Sequence, residues 1–227
     1  MNSQKSPLTK RVDQLRAALK EREPDQLALQ TNTTFYLTEE GQGQFHFPYW
    51  EEEVILPTQD YVARYQATQE ALWIIDQAMI LYYFHDSQGS DASQGWISFS
   101  ELPDGQFYAS AFQGYTSKKI LQGFERDYAA FHQAARNIGG EDIPFASIAY
   151  RVQILPQVAV LIACWKGDTD IAPSYQILFQ DIVKYHLPTD GCAILGSMIT
   201  SRLLKEKEHL APDGSQQKSK QTQGREL

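Results

Sequence analysis

Cysteine is scarce in this chain of 227 residues: there are two, Cys164 and Cys192. Two thiols cannot build a disulfide-rich secreted scaffold, nor an all-cysteine iron–sulfur or zinc site within one chain. Basic charge is scarce too. Twenty Lys and Arg stand against 28 Asp and Glu, giving a formal charge of −8 and a pI near 5.1. That balance argues against non-specific binding to a phosphate backbone and against simple docking on anionic lipid. Between Phe35 and Ser117 the only basic residue is Arg64, so the aromatic residues there have no cations beside them for stacking on nucleic acid.

Long apolar runs are missing as well. The longest, Ala71 to Phe84, has 12 apolar or aromatic residues of 14 and carries Asp76-Gln77 in its middle. A membrane span needs roughly 20 apolar residues, so this run reads as a helix buried on most sides. Residues 1–22 hold no apolar signal-peptide core, so a cytoplasmic location with reduced thiols is expected.

Catalytic signatures are absent. His46, His85, His132, His186 and His209 form no HxH, HxxxH or HExxH pair, and no cysteine lies within four residues of any of them. GxSxG, GxGxxG and GxxxxGK[ST] do not occur, and Gly41-Gln-Gly43 lacks a third glycine. His186, Asp190 and Cys192 are the nearest approach to a reactive trio, with the thiol close enough to a helix start for a lowered pKa. Cys164 reads as an inert core residue. A non-enzymatic protein without cofactor is the expectation.

What is present describes one α+β domain. Leu8 to Arg22 spaces Val12, Leu15, Ala18 and Leu19 as a short amphipathic helix stopped by Pro24, and residues 1–30 read as this helix and a connector. Residues 31–207 read as a single globular domain, a mostly antiparallel sheet packed against three main helices. A hairpin is expected from Thr33–Tyr36 and Gln44–Pro48, then a strand at Val54–Leu56 and a helix from Asp60 to His85. Ser98-Phe-Ser-Glu101 suggests a capping box opening a short helix, which Leu102-Pro-Asp-Gly105 ends as a tight turn. Further helices are expected over Ser117–Asn137 and from Pro188 to Lys207. Strands are expected at Tyr150–Leu155, Val158–Trp165 and Tyr175–Phe179, and the unbroken apolar VAVLIACW suits a central strand covered on both faces. Residues 208–227 read as a disordered tail. From Ala211 onward Lys218, Lys220 and Arg225 outweigh Asp213 and Glu226, leaving about −9 on the body.

Two carboxylate clusters stand out. Glu51-Glu52-Glu53 reads as a solvated, charge-blunted strand edge. Lys166-Gly-Asp168-Thr-Asp170 reads as a loop closed by side-chain-to-backbone hydrogen bonds, with hard-cation binding by Asp168 and Asp170 as the alternative. Aromatics are abundant, with 12 Tyr, 11 Phe and 4 Trp, many bunched between Phe45 and Tyr115. Most belong to a core, and exposed ones suit a protein-docking face or a groove for a flat ligand.

Several segments carry a resemblance. They are Ile97-Ser-Phe-Ser-Glu-Leu-Pro-Asp-Gly-Gln-Phe-Tyr108 with Ala111-Phe112, Ile154-Leu-Pro156 before Val160, Trp165-Lys-Gly-Asp168 with Pro173, Ile177-Leu-Phe179, and His186-Leu-Pro-Thr-Asp190. In this order, over roughly residues 45–205, they resemble the bacterial and archaeal family called domain of unknown function 3786. This chain departs from the family in placing Gln180 between the Leu-Phe pair and Asp181, which weakens any metal or catalytic role for that carboxylate. Family members sit fused or adjacent to iron–sulfur or corrinoid proteins. A photosynthetic branch is similar to the plant factor photosystem I assembly three, a peripheral thylakoid protein on the stromal side associated with the iron–sulfur acceptor subunit.

The resemblance implies a non-enzymatic assembly or docking factor for a photosynthetic iron–sulfur membrane complex, here in a cyanobacterial setting. Its partners would be photosystem I subunits or other assembly factors, with membrane association through partners at most and no nucleic acid. On the resembling segments, Trp96, Phe99, Glu101, Phe107, Tyr108, Trp165 and Asp168 are the candidate partner-binding residues. A binding module for a tetrapyrrole or other flat cofactor is the second reading. A metal-dependent enzyme using Asp168 and Asp170 is the third.

Overall fold

A computed structural model describes residues 6–90 and 92–210; most of the expected tail, from 211 onward, lies outside them. Seven α-helices and two antiparallel sheets make up the described chain. The α+β class and the antiparallel pairing are as expected, while the strands divide between two sheets and the helices are more numerous.

The first sheet runs in chain order: β1 (Thr34–Leu37), β2 (Gly43–Tyr49), β3 (Glu52–Pro57) and β4 (Arg64–Tyr65). β1 and β2 form the expected hairpin. The second sheet has the order β5-β9-β8-β7-β6, with β5 at Trp96–Ser98, β6 at Gly140–Asp142, β7 at Ile148–Leu155, β8 at Val158–Trp165 and β9 at Ser174–Gln180. VAVLIACW is β8, the middle strand, buried along all of its length except Trp165. The sheets are stitched where Trp50, at a left-handed φ of 57°, donates its amide to Ile154 O at 2.8 Å. Apolar residues of both sheets and all helices merge into one core.

Helix α1 (Pro7–Leu19) buries Val12, Leu15 and Leu19 against α3, and α2 (Pro24–Thr31) follows it. α3 spans Ile74–Asp86 and buries every residue from Asp76 to Phe84. The sequence places its start at Asp60, but the chain before it is held in other pairings. Arg64 and Tyr65 join the sheet, and the Gln77 carboxamide both accepts from Ala63 N (2.9 Å) and donates to Ala63 O (2.7 Å). A buried side chain that satisfies a distant backbone in this way outweighs local helix propensity.

The single helix expected over Ser117–Asn137 is two, α5 (Ser117–Phe124) and α6 (Tyr128–Asn137). Glu125 at φ 48° ends the first, and the Asp127 side chain caps the second by accepting from Ala130 N at 3.0 Å. α4 occupies Gly105–Tyr115, where the sequence suggests only the end of a turn, and α7 runs from Thr189 to Leu210.

Candidate functional site

Two Leu-Pro pairs open helices that meet. Leu102-Pro103 precedes α4 and Leu187-Pro188 precedes α7. Proline has a fixed φ and no N–H, so it suits a position just before or inside a helix start. The two starts are tied together, because Thr189 Oγ1 donates to Pro103 O at 2.7 Å.

Local geometry fixes the first of these starts. The expected capping box is present on a 3₁₀ turn at Phe99–Glu101: Ser98 N and Ser98 Oγ both donate to Glu101 Oε2, each at 2.7 Å. These bonds, the backbone one foremost, hold the Glu101 carboxyl below its usual pKa. The turn sets Phe99 in the core, stacked on Phe112 with centroids 4.2 Å apart. Asp104 then takes a left-handed φ of 59°, and a Cβ on Gly105 would stand 2.0 Å from Phe99 O, so only glycine fits there. At the far side, Gly196 of α7 lets the Phe112 ring approach to where a Cβ would be 2.5 Å away.

Between these elements lies a groove of about 590 Å³. Tyr108, Ala111 and Tyr115 line it from one face of α4, with Phe99 and Leu102 beneath. Leu187, Pro188 and Ala193 form the opposite wall. Its charged rim is Asp104, Lys184 and Asp190. Asp190 is engaged: its Oδ1 accepts from Gly191 N (3.0 Å) and its Oδ2 from the Tyr82 hydroxyl (3.2 Å), and that hydroxyl accepts from Arg11 Nε (3.3 Å). Burial raises the Tyr82 pKa, so it stays a donor to the carboxylate. The Lys184 ammonium lies 5.2 Å over the Tyr185 ring. An apolar trough with a few charged groups at its rim suits an apolar side chain or segment.

The trio of His186, Asp190 and Cys192 requires correction. Cys192 is fully buried, and burial together with Asp190 pushes its thiol pKa up, opposite to the lowering suggested by its place near a helix start. His186 is also fully buried, with Ser87 Oγ 3.1 Å from Nδ1 and Ser90 Oγ 2.7 Å from Nε2. Burial brings its pKa down to about 4, so it is neutral at physiological pH, one serine accepting and the other donating. Its role in this structure is to pin the 3₁₀ turn Val183–Tyr185 and the groove wall after it to the end of α3.

The seven candidate residues do not share one surface. Phe99 and Tyr108 meet in the groove, Glu101 holds the turn beneath, and Phe107 is 73% exposed beside Tyr108 on α4. Trp96 and Trp165 belong to the second sheet, Trp96 half-buried against the small cluster of Ala149, Leu161, Ala163 and Leu178, and Trp165 edge-on to Phe145 at 6.2 Å. Asp168 closes its own loop: its Oδ1 accepts from Asp170 N (2.9 Å) and Ile171 N (2.8 Å), and these amides lower its pKa. That is the side-chain-to-backbone turn expected, and among the described residues no group of three His, Cys, Asp or Glu is placed to hold a metal. Asp181 is likewise engaged, by Ser93 Oγ (2.8 Å) and Gln94 N (3.2 Å).

Sequence reasoning did not assign the second wall to the site. Its signal was nonetheless present: Leu-Pro occurs just before two helices, within two of the segments that carry the family resemblance. Those segments, about 80 residues apart, converge on the groove.

A family model described as domain of unknown function (DUF3786) matches residues 23–202, which include the whole groove. No curated protein and no solved structure matches the chain significantly. No helix among the described residues is long and apolar enough to cross a membrane.

Proposed function

The chain belongs to the domain of unknown function 3786 family, and from that premise we propose that it is a non-enzymatic docking factor that holds an apolar element of a partner protein in the α4/α7 groove. The observation that carries this reading is the groove itself, apolar along both walls and flanked by the exposed aromatics Phe107 and Tyr108. Large exposed aromatics beside a concave apolar site are the usual anchors of protein interfaces. The partner class follows the photosynthetic branch of the family: subunits or assembly factors of photosystem I on the iron–sulfur acceptor side, with action at the cytoplasmic or stromal face of a thylakoid membrane through those partners. Flat-cofactor binding is the less favoured reading: the lining offers no His, Cys or Met to a macrocycle's metal, and Tyr108 and Tyr115 are the only aromatic oxygens in it.

The test uses the full chain as bait in extracts of its native host, with Ala111→Arg as the control. Ala111 is exposed and lines the groove. An arginine there should leave thermal unfolding unchanged and lower recovery of photosystem I subunits or assembly factors by about tenfold or more. Normal photosystem I levels after deletion of the gene, or equal recovery by both baits, would overturn the reading.

A further inference from the structure

The groove and a second hollow follow one another along α7 and form a two-part trough. From Asp190 the outward residues of this helix recur at three and four positions: Ala193, Ile194, Ser197, Met198, Ser201, then Arg202. No charge interrupts that face between its two ends, although a helix face turned to water ordinarily carries charge. Ala193 belongs to the groove, and Ile194, Ser197, Met198 and Ser201 line a second hollow of about 430 Å³ against the start of α3. Trp73 (80% exposed) and Ile74 (40% exposed) stand at that helix start. At about 1.5 Å per residue, the stripe from Asp190 to Arg202 is about 18 Å long.

A carboxylate lies in the wall of the second hollow. Asp76 is 8% exposed, and its Oδ1 accepts from the Tyr49 hydroxyl at 2.8 Å. No Lys, Arg or His among the described residues comes within 4 Å of it. Arg202, in the same hollow, lies instead over the Trp50 ring at 4.0 Å. A carboxylate in the wall of an open hollow, held by one neutral donor, offers an acceptor to a cationic side chain that enters the hollow. At the other end of the trough Asp104 and Asp190 outnumber Lys184.

We propose that the trough receives an amphipathic α-helix of a partner, about three turns long, with its apolar face on the Ala193–Ser201 stripe and a Lys or Arg against Asp76. The inference rests on the docking reading and specifies the partner's chemistry. Alanine and serine on the receiving helix allow close approach, apolar residues at i, i+3, i+4 and i+7 would fill the groove and the hollow, and the cation sets the direction of the bound helix.

Photo-cross-linking with p-benzoylphenylalanine at Ala111 or at Ser201 of the full chain, in host cells, separates the two statements. The expected result is capture at both positions of one partner segment, mapped by mass spectrometry, that has helical apolar spacing and a Lys or Arg beside the Ser201 cross-link. Asp76→Asn, which retains an acceptor for Tyr49, should lower the Ser201 cross-link by about tenfold. Ser201→Arg, an exposed change outside the core, combined with the cross-linker at Ala111, should also abolish capture, which covers the case in which Asp76→Asn fails to fold. Capture at Ala111 alone, or of an extended or acidic segment, would overturn the helix proposal and leave the docking reading standing, whereas capture of a second copy of this chain would overturn both. No capture at either position would overturn both.

Discussion

Helix α3 and the first half of α7 both carry apolar residues beyond a single core-facing stripe, and the chain covers them differently. α3 is enclosed: residues 76–84 are all buried, with α1 packed along it and Phe84 in contact with Phe45 and Phe47 of the first sheet at 4.9 and 5.2 Å. α7 buries Cys192, Leu195, Ile199 and Leu203, but leaves Ala193, Ile194 and Met198 only half-buried at the edge of the core. Apolar helix surface therefore has two settings here. In α3 it fills a core, and in α7 it leaves a half-exposed face, the one proposed to receive a partner.

The sharpest way to break that comparison is to truncate both helices. Phe84→Ala removes a ring with no exposed surface and should cost about 3–5 kcal/mol by denaturant unfolding. Met198→Ala, on the half-buried face, should cost about 1 kcal/mol or less and act on partner capture instead. Equal losses of stability would mean that the outward face of α7 is core after all.

Acid should act on the junction of the two helices, where His186 is held by Ser87 and Ser90 beyond the end of α3. Its folded pKa of about 4 lies below the ordinary 6.5, so the unfolded chain takes up the proton first. Stability from this group is therefore complete above about pH 6.5 and declines as pH falls toward 4, by up to about 3 kcal/mol. Glu101, Asp168 and Asp181 also have lowered pKa values, and their contributions fade below the ordinary carboxylate range, at the lower edge of the same window. His186→Gln should flatten the slope between pH 6.5 and 4 in unfolding titrations. A slope unchanged by that substitution would show that the histidine is not the group responsible.

The different fates of the two helices were only partly legible in the sequence. VAVLIACW announced a covered strand, because a run with no polar position has no face to give to water. The division into two sheets was not readable, since it depends on which distant strands pair. The early start assigned to α3 failed because Gln77 binds the backbone of Ala63, a contact that leaves no local pattern. α4 was hidden for a related reason: Leu-Pro-Asp-Gly is turn chemistry, and here the turn's left-handed Asp104 leads directly into a helix that begins at a glycine. Half of the groove was visible as aromatic residues, Phe99 and Tyr108. The other half, Leu187 to Ala193, joined them only through the pairing of two proline-led helix starts.

A smaller effect is expected from Gly196→Ala, which tests how α4 is seated on α7. Alanine would ordinarily favour a helix over glycine by about 0.5–1 kcal/mol. Here the added Cβ would meet the Phe112 ring at 2.5 Å, and that ring is itself stacked on Phe99, so it has little room to move. Overpacking costs typically about 1–3 kcal/mol, so the net change should be a loss of about 1 kcal/mol. The shift should also narrow or skew the groove, lowering partner capture at Ala111. A gain in stability would show that α4 slides freely on α7.

The smallest change in stability should come from Tyr108→Ala, and it bears most directly on the contrast between covered and uncovered apolar surface. Tyr108 lines the groove yet is 64% exposed, and among the described residues no hydrogen bond holds its hydroxyl. Removing it takes little area out of the core, so unfolding should shift by less than about 0.5 kcal/mol. An aromatic anchor in a docking groove commonly accounts for about 2 kcal/mol of binding, so partner affinity should fall by more than tenfold. The buried Tyr83 differs in kind: its hydroxyl donates to Thr31 O at 2.5 Å and burial pushes its pKa well up, so Tyr83→Ala should destabilise the fold before any binding can be measured. If Tyr108→Ala instead unfolded the protein while leaving capture intact, the groove would be a seam in the core, and α7 would be no more open than α3.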